Sequence, residues 1–182
     1  KKHMVTKEEI KETLEYSSHY SLYAYEEELL GTAGAIKNAG KYVTDEQFFV
    51  LNGDTFYQMD FGDLSRIQQE KNLEMALVLR GVPDISRYGA ARLTDGLLTA
   101  FNEKNGNTGA GTINGGVYLM KRALLDEIPE GKVSLENECI PRWMQEGRRL
   151  GGIVNGGYFI DIGVPEDYFR FQEDVRKGDI TW

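Results

Sequence analysis

The stretch Phe48-Phe49-Val50-Leu51-Asn52-Gly53-Asp54 decides the fold. Four apolar residues in a row, without alternation, suit a strand covered on both faces, and central parallel strands read this way. The Gly-Asp that follows sets a carboxylate at the carboxyl end of that strand, where open α/β sheets gather their ligands. A second run ends in the same manner, Tyr158-Phe159-Ile160-Asp161-Ile162-Gly163. Two strand-end carboxylates suit a divalent cation held against a phosphorylated ligand.

The segments on either side repeat helix and strand. Thr6 with Glu9 forms a capping box for a helix over Lys7 to Glu15, with Ile10 and Leu14 on its apolar side. Tyr20 to Glu26 alternates like a strand, and Gly31-Thr32-Ala33-Gly34-Ala35-Ile36 opens a helix. Asp63 to Lys71 reads as a helix and Glu74 to Gly81 as a second buried strand. Asp95-Gly96, between the extended runs Tyr88 to Leu93 and Leu97 to Glu103, suits the positive φ of a type I′ hairpin turn. Asn105 to Gly111 is a polar loop, and Ile113 to Met120 is a strand whose Gly115-Gly116 marks a bulge or a close approach of ligand to backbone. Lys121 to Glu127 and Leu135 to Gln145 are expected helices; Gly152 to Val154 and Tyr158 to Ile162 are expected strands. Pro165 stands at the first position of a helix over Glu166 to Val175. The pattern predicts a three-layer α/β domain over residues 1–182, with a mostly parallel mixed sheet and a β-hairpin insertion.

Composition narrows the class. The chain has 182 residues, 41% of them hydrophobic, enough for one sizeable core. Its formal charge of −8, from 21 basic and 29 acidic residues, opposes a phosphate-backbone partner, so no nucleic acid is expected. One cysteine, Cys139, excludes an intrachain disulfide or a paired-cysteine zinc site and fits a reducing cytoplasmic compartment. No apolar run approaches ~18 residues, so no membrane span is expected.

Each candidate residue also has a bland reading. Asp54 could be a turn aspartate bonded to its own backbone. Asp161 lies between Ile160 and Ile162, where a buried carboxylate costs several kcal/mol unless a cation or donors meet it. Gly31-Thr32-Ala33-Gly34 could be a plain helix entry capped by Thr32, or a place where backbone amides reach a base or phosphate. Glu103-Lys104 could be a solvated pair, or Lys104 could meet an anionic substrate and Glu103 its hydroxyls. Asn114-Gly115-Gly116 could be a simple bulge. His3 and His19 have no neighbouring ligand at metal spacing.

In chain order, Leu30-Gly31-Thr32-Ala33-Gly34-Ala35-Ile36, Asn52-Gly53-Asp54, Tyr88-Gly89, Phe101-Asn102-Glu103-Lys104, Asn114-Gly115-Gly116-Val117-Tyr118 and Phe159 to Tyr168 resemble the sugar-phosphate nucleotidyltransferases. Within that family they look most like the D-glycero-α-D-manno-heptose 1-phosphate guanylyltransferases. The resemblance implies a Rossmann-like nucleotidyltransferase fold. It implies transfer of a nucleoside monophosphate, GMP from GTP being favoured, to a heptose or hexose 1-phosphate, with release of pyrophosphate. Asp54 and Asp161 would hold Mg²⁺ and, with Lys104, form the catalytic set. Leu30, Gly31, Thr32, Gly34, Gly53 and Asp54 would contact the nucleotide. Tyr88, Gly89, Glu103, Lys104, Asn114, Gly115 and Gly116 would contact the sugar phosphate. A homo-oligomer is compatible with the resemblance.

The chain departs from the family in three places. Val164 stands where threonine is common, and Asn102 where an acidic or apolar residue is frequent. The family opens on a strand and a G-x-G-T-R-L loop followed by Pro-Lys, and the sequence from Lys1 contains neither. A piece of a longer enzyme is therefore expected, and a chain of this length alone is expected to bind Mg²⁺-nucleotide poorly and not to turn over. Two other classes compete: a noncatalytic binding relative of the same fold, and a nucleotide-sugar-dependent glycosyltransferase. The latter usually carries Asp-x-Asp at the strand end, unlike Asp54-Thr55-Phe56.

Overall fold

Met75 to Leu79 are all fully buried, and this run forms β3 (Met75–Val82) at the middle of a six-stranded sheet. The computed structural model describes residues 22–86, 89–102 and 108–180. Along the chain the elements are α1 (Gly31–Gly40), β1 (Gln47–Leu51), β2 (Thr55–Tyr57), α2 (Gly62–Glu70), β3, β4 (Ala90–Thr94), β5 (Leu97–Asn102) and β6 (Gly111–Lys121). They continue through α3 (Leu124–Glu127), a π-helix (Leu135–Cys139), α4 (Ile140–Gln145), β7 (Leu150–Val154), β8 (Phe159–Asp161) and α5 (Pro165–Lys177). The sheet runs β1-β6-β3-β7-β5-β4, and β2 pairs with β8 in a separate ribbon.

The period-2 alternation of β3 and β6 divides the core into two layers. On one face Met75, Leu77, Leu79, Tyr118 and Met120 pack with Ala33, Leu125, Leu135 and Trp143 from the helices. On the other, Ala76, Val78, Val117 and Leu119 pack with Leu64 of α2 and Tyr57 of β2. Helices on both faces of one sheet make the expected three layers.

The sheet is mixed, as expected, but its balance differs from the expectation of mostly parallel pairing. Among the described strands one pairing is parallel, β3 with β7. The long strand β6 runs antiparallel between β1 and β3, so these two share a direction without touching. The hairpin is as expected, with Asp95 at φ 51° and Gly96 at φ 78°, both positive as a type I′ turn requires.

Four further expectations change. Strand β1 is not covered on both faces: its outer face carries Phe49 at 39% and Leu51 at 53% exposure, and among the described strands it pairs with β6 alone. Leu22 to Glu26 forms no ladder with the described residues, and alternation becomes a strand only where a neighbour pairs with it. The helix expected over Lys121 to Glu127 is one turn, Leu124–Glu127. The helix expected over Leu135 to Gln145 begins as a π-helix, in which Ser134 O accepts from both Glu138 N and Cys139 N at 3.2 Å. The expected helix Lys7 to Glu15, His3 and His19 lie outside the described residues. Helix α5 keeps Pro165 in its first turn and ends on Gly178 at φ 79°.

Candidate active site

The carboxyl ends of β1 and β3 point the same way, and the turn after β1 carries Asp54. Asp161 is the last residue of β8. The ribbon joins them, since Thr55 pairs with Asp161 and Ile162 N donates to Asp54 O at 2.8 Å. The two carboxylates read from distant parts of the sequence are thus neighbours. Ile160 turns inward at 1% exposure, so alternation turns Asp161 outward. Asp161 is accordingly half-buried at a strand end, not enclosed in apolar surroundings as its flanking isoleucines predicted, and Asp54 is exposed.

Gly163 defines the space between them. Its amide donates to Asp161 Oδ1 at 2.9 Å. A Cβ on it would stand 3.0 Å from Asp161 Oδ1 and 3.7 Å from Asp54 Oδ2. Both carboxylates therefore border one small volume that a side chain would fill. On its other side Asp161 borders a cleft of about 310 Å³, walled also by Arg80, Pro83, Ser86 and Arg170. Arg80 donates to Gly157 O at 2.8 Å, and Arg170 pairs with Asp167 at 3.0 Å.

The glycine segment before the strand is built differently from a simple cap. Leu30 occupies the N-cap position of α1 without a side-chain cap bond, and Thr32 lies inside the helix. Ala33 N and Gly34 N donate to Val133 O at 3.0 and 3.3 Å, and Val133 N donates to Leu30 O at 2.8 Å. A Cβ on Gly31 would be 2.5 Å from Val133 O, and one on Gly34 would be 2.4 Å from Gly131 O. These glycines admit the 131–133 segment against the start of α1. Gly31, at φ 71°, also uses the left-handed region. Thr32 Oγ1 accepts from Leu135 N at 2.7 Å and donates to Glu136 Oε2 at 2.7 Å. Gly53 is exposed, and a Cβ on it would meet none of the described residues within 4 Å.

Asn114-Gly115-Gly116 forms the bulge that glycine within a strand predicted. The β3–β6 register passes from Leu77 opposite Tyr118 to Leu79 opposite Asn114, so Val78 faces three residues. Gly116 sits at φ 71° with the Asn52 side chain within 2.9 Å of where its Cβ would be, and Gly115 leaves room for Tyr57. The bulge brings Asn114 to Tyr118: Asn114 Nδ2 donates to Tyr118 OH, and Gly116 N donates to Asn114 Oδ1 at 3.1 Å. Tyr118 OH in turn donates to Glu136 Oε1 at 3.0 Å. Burial and the Glu136 carboxylate push the Tyr118 hydroxyl well above the ordinary phenol range.

Gly89 is half-buried immediately before β4. Tyr88, Glu103 and Lys104 lie outside the described residues. The segments that carry them are flanked by a clip: Asp84 Oδ1 accepts from Ser86 N at 3.0 Å and Gly109 N at 3.2 Å. The bond from Ser86 Oγ to Asp84 Oδ2 at 2.7 Å, together with these two amide bonds, holds the Asp84 carboxyl below its usual range. The sequence alone assigns no role to Asp84, Glu136 or, beyond its place in the motif, Gly163. Glu136 sits in a stretch that reads as ordinary helix, and its partners lie far away along the chain.

A family model described as nucleotidyl transferase matches residues 3–178. The D-glycero-alpha-D-manno-heptose 1-phosphate guanylyltransferase of Aneurinibacillus thermoaerophilus is 34% identical over 155 residues, 85% of this chain and 66% of that protein. The Campylobacter jejuni protein of the same name is 37% identical over 151 residues, 82% of this chain and 65% of its own length. The mannose-1-phosphate guanylyltransferase of Mycobacterium tuberculosis is 31% identical, covering 86% of this chain and 44% of that protein. Among solved structures, HddC from Yersinia pseudotuberculosis superposes with a TM-score of 0.71 at 35% identity, covering 82% of this chain and 64% of that one. A structure of that protein complexed with GMP-PN superposes at 0.70. The chain thus spans about two thirds or less of the length of these relatives.

Proposed function

Because the chain belongs to the nucleotidyl transferase family, we propose that it carries the catalytic centre of an enzyme transferring a nucleoside monophosphate to a sugar 1-phosphate. GMP from GTP, and a heptose or hexose 1-phosphate, are the favoured substrates; a nucleotide sugar and pyrophosphate are the products. One observation carries this reading: Asp54 and Asp161 converge on the space beside Gly163. The guanylyltransferase names of the relatives and the GMP-PN complex of HddC support guanine.

Oxygen-only donors from two carboxylates, with open room beside them, fit Mg²⁺, which is typically held by one or two carboxylates plus substrate phosphates. Among the described residues no three His, Cys, Asp or Glu side chains gather to hold a metal unaided. Asp54 and Asp161 would bind the ion, which would supply charge neutralisation where two anions must meet. The protein's own part is positioning. The β2–β8 ribbon fixes both aspartates, and the bulge at Gly115-Gly116 holds Asn114 at the expected sugar side. Lys104, Glu103, Tyr88 and Gly89 are assigned to the sugar phosphate by the family resemblance. The first turn of α1, with Leu30, Gly31, Thr32 and Gly34, is assigned by it to the nucleotide, together with Gly53.

A pyrophosphate-release screen of the full-length protein, over four nucleoside triphosphates and a panel of hexose and heptose 1-phosphates, tests the reading. GTP with a heptose or hexose 1-phosphate should be the productive pair; turnover only with another triphosphate would refute the guanine assignment. Asp161→Asn should abolish turnover while leaving the thermal midpoint within a few degrees. Wild-type rates in that variant would remove Asp161 from the mechanism.

A further inference from the structure

Glu136 joins the two ends of the site through its two carboxylate oxygens. Oε2 accepts from Thr32 Oγ1 at 2.7 Å and from Ser134 Oγ at 3.4 Å, while Oε1 accepts from Tyr118 OH at 3.0 Å. Tyr118 OH also accepts from Asn114 Nδ2, and Asn114 Oδ1 accepts from Gly116 N at 3.1 Å. A continuous chain of hydrogen bonds therefore runs from the second residue of α1 to the bulge in β6. Hydrogen bonds from hydroxyls to an ionised carboxylate are about twice as strong as neutral ones, and linked bonds polarise one another.

The backbone beneath Glu136 is fixed at both ends. Ser134 Oγ accepts from Asn137 N at 3.1 Å, and Ser134 N donates to Glu138 Oε1 at 2.8 Å. Leu135 and Cys139 on either side are buried at 1% exposure. Leu135 N donates to Thr32 Oγ1, so the start of the π-helix and the first turn of α1 are bound twice, once by backbone and once by the carboxylate. The π-turn widens the helix by one residue at this point, a feature that recurs at functional sites. A shift of Thr32 strains its bond to Glu136, and a shift of Glu136 strains its bond to Tyr118, the partner of Asn114.

We propose that Glu136 is a positioning residue that couples nucleotide binding at the first turn of α1 to sugar 1-phosphate binding at Asn114-Gly115-Gly116. The proposal rests on the functional reading above, which places one substrate at each end of the chain of bonds. Coupling of this kind is reciprocal, each ligand changing the affinity of the other by the same factor.

Calorimetric titration of the full-length protein tests it. The probes are a GTP analogue with a non-cleavable α,β linkage and the sugar 1-phosphate that turns over in the screen. Wild type should bind the sugar phosphate at least roughly fivefold more tightly when the analogue is present, the lower end of usual coupling. Glu136→Gln should bring that ratio to within about twofold, and Thr32→Val, at the nucleotide end, should do the same. The double variant should show no further loss, because the two substitutions cut one connection. Thermal midpoints measured without ligand report any general loss of fold, which would weaken sugar phosphate binding equally with and without the analogue. A wild-type ratio near one, an undiminished ratio in Glu136→Gln, or additive effects in the double variant would each overturn the proposal. Absence of turnover by wild type with every substrate pair is a different result: it removes the functional reading, and the coupling falls with it.

Discussion

Gly163 works by having no side chain. It lies outside the left-handed region, so alanine is admissible to its backbone, and the consequence of adding a Cβ falls on its neighbours. That atom would press on Asp161 Oδ1 at 3.0 Å and touch Asp54 Oδ2 at 3.7 Å. Asp54 is exposed and Asp161 half-buried, so both carboxylates can give by a few tenths of an ångström and the fold absorbs the change, while the Mg²⁺ arrangement proposed for them would not. Gly163→Ala should therefore leave unfolding free energy within about 0.5 kcal/mol, as surface substitutions do. It should lower kcat/KM of the full-length protein by up to about tenfold, a fraction of the roughly hundredfold that a full ångström of misplacement costs at a reacting centre. Pyrophosphate release measured across a Mg²⁺ titration checks this, and an unchanged rate at every concentration would show that the space beside Gly163 is not used. The placement of both aspartates at strand ends is legible in the sequence because each follows an apolar run, whereas the outward turn of Asp161 depends on the pairing of β8 with β2. The glycine segment at 31–34 was only half legible: its helix could be read, but nothing local reveals that Val133 O takes the amides of Ala33 and Gly34. Glu136 was illegible for the same reason, since its value lies in Thr32 and Tyr118.

At the level of elements, the hairpin offers the sharpest test of local chemistry. Asp95 and Gly96 both hold positive φ, and a Cβ on Gly96 would meet Ile67 at 3.4 Å and Lys71 at 3.5 Å, ordinary contact distances. Gly96→Ala should thus be governed by backbone strain and cost about 1–2 kcal/mol. Asp95→Asn, which also accepts the left-handed region, should be nearly neutral. Urea midpoints with unchanged m-values would confirm both; a large loss for Asp95→Asn would mean that its carboxylate, not its backbone, holds the turn. Turn chemistry of this sort is written in two adjacent residues and is legible from them alone. Strand direction is not local. The run Ile113 to Met120 reads as a strand, yet only tertiary pairing sets it antiparallel between β1 and β3, which is why the sheet was expected to be mostly parallel. The π-turn at Leu135–Cys139 is indistinguishable from α-helix in the sequence, because the apolar spacing of Leu135, Cys139 and Ile140 is compatible with either.

Over the whole molecule the net charge of −8 opposes further ionisation, and two phenols make that opposition pH-dependent. Tyr118 is raised by burial and by Glu136. Tyr158 is pushed up to about 12, by burial and by its hydrogen bond to Asp174 Oδ2 at 2.6 Å. Both bind their proton more tightly in the folded chain than in the unfolded one, whose phenols titrate near ~10. Their contribution to stability is therefore fully present below pH ~10 and shrinks as pH rises, for Tyr158 through about 12. Tyr158→Phe separates this effect from packing, because the ring contacts with Phe56 and Phe171 need no hydroxyl. At neutral pH that variant should lose about 1 kcal/mol for the missing hydrogen bond. Between pH 9.5 and 11.5 its unfolding free energy should fall less steeply than that of wild type, so the two curves converge. Tyr118→Phe should behave differently. It leaves Glu136 Oε1 and Asn114 Nδ2 without their shared partner inside the site, so its neutral-pH loss should be larger, about 1–3 kcal/mol. Urea unfolding at a series of alkaline pH values reads both. Parallel curves for wild type and Tyr158→Phe would mean that the phenol held by Asp174 has no share in alkaline unfolding.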